Sequence, residues 1–131
     1  MKKKLPVLLT LGATILVACG SKTATPISEG IPPEYEGLTN PFHVDAATEG
    51  GKVFQVNCEP CHGPQGHGDG PSGQALDPKP KNLAEFQKTV GDDYLFWRIN
   101  TGIPGTAMVP WKRILTDEQI WQVVGFIRTL K

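Results

Sequence analysis

The sequence predicts an all-α domain of three or four short helices joined by long loops. Three observations predict this class: the end of the chain follows a helical apolar pattern, no segment alternates like a half-buried strand, and glycines and prolines interrupt the middle. A chain of 131 residues has room for one domain. Its helical region, residues 45–131, is short for a self-sufficient core, so we expect a non-peptidic group to complete it.

A first helix is predicted from Asp45 to Asn57. Asp45 can cap its N-terminus, and an acidic residue in the first turn suits the helix dipole. Gly50 and Gly51 lie within this helix, where each glycine costs about 1 kcal/mol. Either another helix approaches closely at these glycines, or the helix begins only after them, at Lys52.

Two further helices are predicted after a long irregular segment. Glycines and prolines punctuate residues 58–88, and a stretch of this length needs something other than secondary structure to organise it. The second helix spans Asp93 to Asn100, capped by Asp92 and ended by Gly102. The last helix begins with the capping box Thr116–Gln119, and its apolar residues follow at helical spacing: Ile120, Val123, Val124, Ile127 and Leu130.

The composition excludes several classes of protein. Thirteen basic and thirteen acidic residues, with 39% hydrophobic residues, fit neither a basic nucleic-acid-binding protein nor an acidic disordered tail. No stretch reaches the roughly 18 apolar residues of a spanning helix, which excludes a polytopic membrane protein. No acid–base pair or nucleophile stands apart from the cysteine motif described below, so we do not expect an enzyme.

The first 18 residues have the pattern of an export signal. Three lysines precede a short apolar run that ends in Leu16-Val17-Ala18-Cys19. These four residues resemble a bacterial lipobox, which implies cleavage before Cys19, a lipid on its sulfur and acylation of the new amino terminus. An ordinary signal peptide and an uncleaved short anchor are the alternatives. Cleavage would leave ten basic against thirteen acidic residues, and an acidic chain disfavours docking to a strongly acidic partner.

Residues 19–44 are predicted to be a lipidated cysteine followed by a flexible, proline-rich tether. Serine, threonine, proline and glycine dominate this stretch, and its prolines prevent a continuous helix. In the alternative, Tyr35, Leu38 and Phe42 pack on the domain or on a partner. The predicted organisation is therefore a signal peptide over residues 1–18, the tether, and one domain over residues 45–131.

The chemistry of the chain is concentrated in Cys58-Glu59-Pro60-Cys61-His62, the C-x-x-C-H signature of covalent c-type haem attachment. Two thiols three residues apart can reach the two vinyl groups along one edge of a porphyrin, and the following histidine then faces the iron. Three alternatives compete: a disulfide, a thioredoxin-like redox pair, and a zinc site completed by His43 and His67. An export signal on a small, loop-rich chain favours one covalently bound haem c.

The sequence resembles class I c-type cytochromes over residues 46–130. The resemblance rests on the spacing from Gly51 through Phe54 to the cysteine motif, on Thr101-Gly102-Ile103 before Met108-Val109-Pro110-Trp111, and on the terminal helix. It implies a small cytochrome c fold around one covalent haem, with the first and last helices crossing at near right angles. In that crossing one of the two glycines of the first helix, Gly50 or Gly51, lies against Val123 and Phe126 or Ile127.

The resemblance also implies the axial ligands of the iron. His62 supplies one, and the family's second ligand is a methionine on the loop before the last helix, the position of Met108. The family often has proline directly after that methionine, and Val109 stands there instead. A bis-histidine site would need His67, which is too close to His62 in the chain to reach the other haem face, or His43, which would have to fold back. An open or water-bound iron is the remaining alternative.

Four further residues are candidates to surround the haem. In the family a proline carbonyl in the loop after the motif accepts a hydrogen bond from the ligating histidine, and Pro71 is the nearest match. Trp97, Arg98 and Trp111 are candidates to line the haem or to bond its propionates. The alternative for each is a turn, packing or surface role.

These features predict one-electron transfer and not catalysis, because iron with two axial protein ligands has no open position for a substrate. The anchor, the tether and the run Gly66-x-Gly68-Asp69-Gly70-Pro71 resemble the tethered monohaem subunit of alternative complex III, a quinol-oxidising respiratory or photosynthetic assembly. That resemblance implies multihaem cytochrome and iron–sulfur partners. A free-standing lipid-anchored shuttle and, from another class, a haem-based gas sensor are the alternatives. The expected location is the outer, periplasmic face of the cytoplasmic membrane, with no nucleic-acid partner.

Overall fold

The computed structural model describes residues 30–42 and 46–131, which contain five α-helices, two short 3-10 helices and no strand. The α-helices are α1 (Ala46–Asn57), α2 (Glu59–His62), α3 (Leu83–Phe86), α4 (Asp92–Thr101) and α5 (Asp117–Ile127). The 3-10 helices are η1 (Pro71–Gly73) and η2 (Trp111–Arg113). The predicted all-α class is confirmed, with α2 and α3 as single turns inside the segment predicted to be irregular. Within these residues no helix is long and apolar enough to cross a membrane.

Some predicted features lie outside the described residues. They are the export signal over residues 1–18, the lipidated Cys19, the first part of the tether, His43, and the helix cap Asp45.

Helices α1 and α5 pack against each other through glycines. A Cβ on Gly50 would overlap the carbonyl group of Gln122, and a Cβ on Gly51 would lie 3.2 Å from the ring of Phe126. The two helices can approach this closely only because the glycines carry no side chain. The prediction of a close helix approach is confirmed, and the alternative start of the helix at Lys52 is wrong.

The ends of α4 and α5 follow local sequence signals. Thr116 caps α5 and forms the predicted capping box with the glutamine at the third helical position. Helix α4 ends at Gly102, whose φ of 69° disfavours any residue with a side chain. The N-cap of α4 is Gly91, so the predicted Asp92 cap is wrong. The carboxylate of Asp92 instead pairs with Arg128 at 2.7 Å, which holds the end of α5 against the start of α4.

The core lies between α1, α4 and α5. The apolar stripe predicted for the last helix is buried along its whole length, as far as Leu130. The ring of Phe96 in α4 stacks on that of Trp121 in α5, with centroids 4.1 Å apart. The largest fully buried side chains are Phe54, Ile120, Val123 and Val124. These contacts fix α4 and α5 as one unit, from which the loop between them projects.

The described residues before α1, which we call the N-terminal strap (residues 30–42), are fastened to α4 and α5. The main-chain amides of Gly37 and Asn40 donate hydrogen bonds to the carboxylates of Asp93 and Asp92 at the start of α4. The side chain of Asn40 also donates to a main-chain carbonyl of α5 at 2.9 Å.

Apolar contacts complete the docking of the N-terminal strap. Ile31 is buried, and Tyr35 packs on the core with its ring centroid 6.2 Å from that of Phe96. The prediction of a flexible tether is therefore wrong for residues 30–42, because carboxylates on α4 and an aromatic core surface hold this segment. The packed alternative holds for Tyr35, whereas Leu38 and Phe42 each remain 38% exposed.

Candidate haem site

Helix α2 presents three residues of the cysteine motif on one side. Cys58 is the N-cap of this one-turn helix, and Cys61 and His62 follow three and four residues later, the spacing of neighbours on a helix face. Pro60 suits the first turn because a main-chain amide would find no helical partner there. The amides of Cys61 and His62 both donate to the Cys58 carbonyl, at 3.1 and 2.8 Å. The turn is therefore a rigid mount for two thiols and an imidazole.

The motif faces a cavity of about 280 Å³, to which every α-helix contributes. Cys58, Cys61, His62 and Met108 all line this cavity, so the structure brings the four predicted attachment and ligand residues together. The remaining walls are mainly apolar and include Phe54, Leu83, Phe86, Leu95, Ile99, Val123 and Ile127. A hollow with apolar walls and a few convergent polar groups is typical of a prosthetic-group site.

Burial changes the acid–base properties of the motif. Desolvation, with a smaller contribution from the neighbouring Cys61, raises the pKa of the Cys58 thiol from 9.0 to about 12. A thioether has no proton to lose, so a cysteine joined to a vinyl group suits this position. Burial also lowers the pKa of His62 below its ordinary 6.5, against the opposing effect of a hydrogen bond to the Lys81 carbonyl. His62 is therefore held neutral, the form that binds a metal.

The carbonyl that faces His62 belongs to Lys81 and not to Pro71. His62 Nδ1 lies 3.4 Å from the Lys81 oxygen, which can only accept a hydrogen bond, so this contact favours the tautomer with the proton on Nδ1 and would leave Nε2 for a metal. Pro71 begins η1 and does not line the cavity, so the prediction for Pro71 is wrong. Pro78 and Pro80 keep the segment before α3 out of a helix, which leaves the Lys81 carbonyl free to face the ring. This pair of prolines is the sequence signal by which Lys81 could have been found.

Met108 lies in a loop that returns to the end of α4. The amide of Ile103 donates to the Met108 carbonyl at 2.9 Å, and the Met108 amide donates to Thr106 Oγ1 at 3.1 Å. A Cβ on Gly102 would lie 2.5 Å from that same carbonyl, so the loop requires a glycine there. Val109, which replaces the expected proline, does not prevent this closure, and Met108 reaches the cavity wall half-buried.

Arg98 lines the cavity and carries an unsatisfied donor. Its Nε is the one buried side-chain nitrogen or oxygen without a hydrogen-bond partner in the described residues. The guanidinium lies 3.6 Å from the ring centroid of Trp97 and 5.3 Å from that of Tyr94, which fixes it at the wall. An anionic group in the cavity, such as a haem propionate, would satisfy this donor. The residues present therefore fit a haem.

Of the two tryptophans predicted to surround the haem, Trp111 lines the cavity and Trp97 does not. Trp97 instead stacks on Arg98 and meets Tyr94 edge-on, with ring centroids 5.7 Å apart. Trp97 thus lies beside two cavity-lining residues of α4, Tyr94 and Arg98, and outside the cavity wall itself, so the structure gives it a supporting contact to Arg98 in place of the predicted position on the wall. Tyr94 also lines the cavity; it is absent from the residues predicted to surround the haem, although its spacing of four residues from Arg98 indicates a shared helix face.

The alternatives to a covalent haem find no support among the described residues. Cys58 and Cys61 are free thiols and not a disulfide. No group of three or more metal-binding side chains is gathered within residues 30–42 and 46–131, and these residues contain no strand for a thioredoxin-like unit. His67 lies outside the cavity, with Nε2 3.3 Å from the Lys131 carbonyl.

The mouth of the cavity carries positive charge. Five residues both line the cavity and are exposed: Pro78, Lys79, Lys81, Ala107 and Val109. Among the described residues no Asp or Glu lines the cavity, and its third positive side chain is Arg98. The acidity predicted for the processed chain therefore does not describe this surface, and docking to an acidic partner is not disfavoured here.

Comparisons with known proteins agree with this site. Residues 45–127 match the family described as cytochrome C oxidase, cbb3-type, subunit III. Among curated proteins there is no significant match. A solved c-type cytochrome, KustC0563, is 30% identical with a TM-score of 0.52, and the match covers 63% of this chain and 96% of that one.

Two more distant structures share the fold. A chain of the Kuenenia stuttgartiensis reducing HAO-like protein complex Kustc0457/Kustc0458 is 24% identical with a TM-score of 0.62, over 72% of this chain and 48% of that one. Cytochrome cL from Hyphomicrobium denitrificans is 22% identical with a TM-score of 0.54, over 80% of this chain and 62% of that one. The chain thus spans about half the length of the first and under two thirds of the second, and these likenesses concern the fold alone.

Proposed function

Because the chain belongs to the c-type cytochrome family described as cytochrome C oxidase, cbb3-type, subunit III, we propose that it carries single electrons on one haem c joined to Cys58 and Cys61. The haem supplies an iron that changes between its ferrous and ferric states. The observation that carries the proposal is the convergence of both cysteines with His62 and Met108 on one apolar cavity.

His62 is proposed as the first axial ligand and Met108 as the second. The Lys81 carbonyl orients the imidazole and leaves Nε2 free for the iron. The hydrogen bond from the Ile103 amide to the Met108 carbonyl fixes the loop in which Met108 lies on the cavity wall. A thioether ligand favours ferrous iron and raises the reduction potential. Two ligands from the chain leave no position for a substrate, which supports electron transfer over catalysis.

We propose that a haem propionate accepts a hydrogen bond from Arg98. The buried Nε of this side chain is an unused donor, and a propionate oxygen is an acceptor of the right charge. The apolar walls exclude water from the remainder of the cavity. Exclusion of water reduces the solvent rearrangement that accompanies a change in the charge of the iron, which suits a carrier.

Electron exchange is proposed to take place at the cavity mouth. Lys79 and Lys81 are exposed there, and Val109 is 49% exposed. A partner with carboxylates around its own redox centre is complementary to the lysines. An apolar patch at the middle of the partner's docking surface is complementary to Val109. We therefore propose an acidic redox protein as the docking partner.

We also propose that the chain is a lipid-anchored subunit of a quinol-oxidising assembly of the alternative complex III type, at the outer face of the cytoplasmic membrane. The lipobox-like Leu16–Cys19 and the run Gly66–Pro71 support this proposal. The family description names a subunit of a cytochrome c oxidase, which supports membership of a redox assembly of several subunits. A free lipid-anchored shuttle is the second candidate, favoured by the exposed cavity mouth.

The haem is tested by a visible spectrum of the pyridine-treated protein together with an intact mass. We expect one haem per chain, and haem staining that survives denaturing electrophoresis. The variant with both Cys58→Ala and Cys61→Ala is the control and is expected to lose the stain. A colourless protein with both thiols unmodified, produced in a host that matures c-type cytochromes, would reject the function.

The assembly is tested separately by purification of the chain in mild detergent. Multihaem and iron–sulfur subunits in the same complex would support alternative complex III, recovery of the chain alone would support the shuttle, and recovery with oxidase subunits would reject both. The mass of the mature N-terminus tests the anchor, since an unmodified Cys19 thiol is incompatible with it.

A further inference from the structure

A buried hydrogen bond closes the base of the loop that carries Met108. This loop leaves α4 at Thr101 and enters α5 at Asp117. Asn100, the last residue but one of α4, is only 6% exposed and is the buried polar residue of the described chain. Its Nδ2 donates to Asp117 Oδ1 at 3.4 Å, so the two ends of the loop are joined directly.

The N-terminal strap completes this arrangement. The hydroxyl of Tyr35 donates to Asn100 Oδ1 at 3.1 Å, while its ring packs near that of Phe96. Both polar atoms of the Asn100 side chain are therefore paired: Oδ1 accepts from Tyr35 of the strap, and Nδ2 donates to Asp117 of α5. Because an unpaired buried amide is costly, loss of either partner weakens the fastening of the loop.

The three residues stand apart from the haem cavity. Arg98 and Ile99 of α4 line that cavity, whereas Tyr35, Asn100 and Asp117 line a separate open groove of about 660 Å³ beside the strap. These three residues therefore act on the site only through the base of the loop. On the cavity side, a hydrogen bond from the Ile103 amide to the Met108 carbonyl holds the loop. Ile103 is three residues beyond Asn100 in the chain.

We propose that Tyr35, Asn100 and Asp117 form a clamp that positions Met108, so that docking of the N-terminal strap sets how firmly the second axial position is held. They are positioning residues, since none of them lines the cavity. The inference rests on the proposed role of Met108 as a ligand. The N-terminal strap would then do more than link the domain to the preceding residues. When the strap is docked, the Met108 thioether is held in place; when the strap is released, an external ligand can compete with the thioether for the iron.

The first test removes one hydroxyl by Tyr35→Phe in the full-length haem protein. The absorption band of ferric iron bound to a thioether is expected to weaken, and the midpoint potential to fall. The affinity of the ferric protein for imidazole is expected to rise about three- to tenfold, the factor that corresponds to the loss of one hydrogen bond. Glu36→Ala is the matched control, because it changes the exposed strap residue next to Tyr35 and leaves the strap's hydrogen bonds to α4 and α5 in place.

A second pair of variants tests the other half of the clamp. Asp117→Ala and Glu118→Ala each remove an exposed carboxylate from the first turn of α5, so the change in the helix dipole is the same. Only Asp117 contacts Asn100, whereas Glu118 accepts from Gln122 on the surface. Asp117→Ala is expected to raise imidazole affinity as Tyr35→Phe does, and Glu118→Ala to leave it unchanged.

The outcomes separate the clamp from the function on which it rests. Unchanged imidazole affinity and potential in Tyr35→Phe and Asp117→Ala would overturn the clamp and leave the haem assignment intact. Equal effects in the two controls would also overturn it, because the loosening would then be general. A wild-type protein without the thioether band would overturn the clamp together with Met108 as ligand, and a colourless protein would overturn the proposed function itself.

Discussion

The amide of Ile103 and the carbonyl of Met108 are joined by a main-chain hydrogen bond of 2.9 Å. Because this bond does not involve the methionine side chain, Met108→Ala is expected to keep the loop closed while removing the thioether. The variant should lose the thioether-to-iron absorption band completely, and its reduction potential should fall. Spectroelectrochemical titration of both proteins measures the two effects.

Val109→Ala is the control for that change. It shortens the side chain of the adjacent, exposed residue by two carbons and leaves Met108 unchanged. It is expected to preserve the band and the potential. The same pair examines the gas-sensor alternative: reduced wild-type protein should not bind CO at neutral pH, whereas Met108→Ala should bind it. CO binding by the wild type would favour the sensor, and an unchanged spectrum in Met108→Ala would reject the ligand.

The contact between α1 and α5 predicts a large cost for a single methyl group. Gly50→Ala places a Cβ on the main chain of Gln122, which cannot move without shifting α5, so we expect a loss of about 1–3 kcal/mol in the free energy of unfolding. Gly125→Ala is the matched helical control. Its new Cβ would meet nothing closer than 3.4 Å, and the better helix propensity of alanine should stabilise the protein by up to about 1 kcal/mol. Denaturant titration of the haem proteins would contradict this account if both variants were equally stable.

Local signals in the sequence predict the elements that depend on neighbouring residues. The capping box at Thr116 and the stop at Gly102 are short-range devices, and both are present. The crossing of α1 and α5 could be predicted as well, because two glycines in a helix have a cost that only a close neighbour explains. The C-x-x-C-H spacing similarly fixes which side chains share the face of one helical turn.

The rest of the site depends on contacts between distant parts of the chain. The carbonyl that faces His62 comes from Lys81; every residue has a main-chain oxygen, so the family resemblance predicts Pro71, and only the prolines at positions 78 and 80 indicate the segment that contains Lys81. The N-terminal strap has the composition of a linker, yet Tyr35 finds a buried partner 65 positions away in Asn100. Net charge also averages over the chain and conceals the lysines at the cavity mouth.

The unpaired Nε of Arg98 predicts an electrostatic effect on the iron. Arg98→Gln removes a positive charge from the cavity wall, which should stabilise ferric iron and lower the reduction potential. Arg98→Lys keeps the charge without the planar donors, and its potential should lie between those of the wild type and the glutamine variant. Arg113→Gln is the surface control in η2, outside the cavity lining, and an equal shift in that variant would contradict a specific role for Arg98.

The lysines at the cavity mouth predict a salt-sensitive encounter with an acidic redox partner. Replacement of both Lys79 and Lys81 by glutamine leaves the Lys81 carbonyl in place and should slow association at low ionic strength by about tenfold. The difference should shrink as salt screens the charges. Lys52→Gln, a change on the outer face of α1 where Lys52 pairs with Glu49, is the control. Stopped-flow electron transfer at several salt concentrations measures the rates, and identical salt dependence in all three proteins would place docking elsewhere.

The burial of His62 predicts how the protein responds to acid. Its pKa is lowered in the folded protein, so the unfolded chain takes up a proton near the ordinary value of 6.5 while the folded protein does not. The unfolded state then binds more protons, and stability rises with pH between the lowered folded pKa and 6.5. We therefore expect the free energy of unfolding to be constant above this window and to decline as the pH falls from 6.5. The low-spin spectrum should persist below pH 6.5, because a proton would have to displace the iron from an imidazole whose pKa is already lowered by burial. Denaturant titrations at pH 7.5, 6.5 and 5.5, combined with an acid titration of the visible spectrum, measure both effects, and stability that increased on acidification would contradict the neutral, buried imidazole.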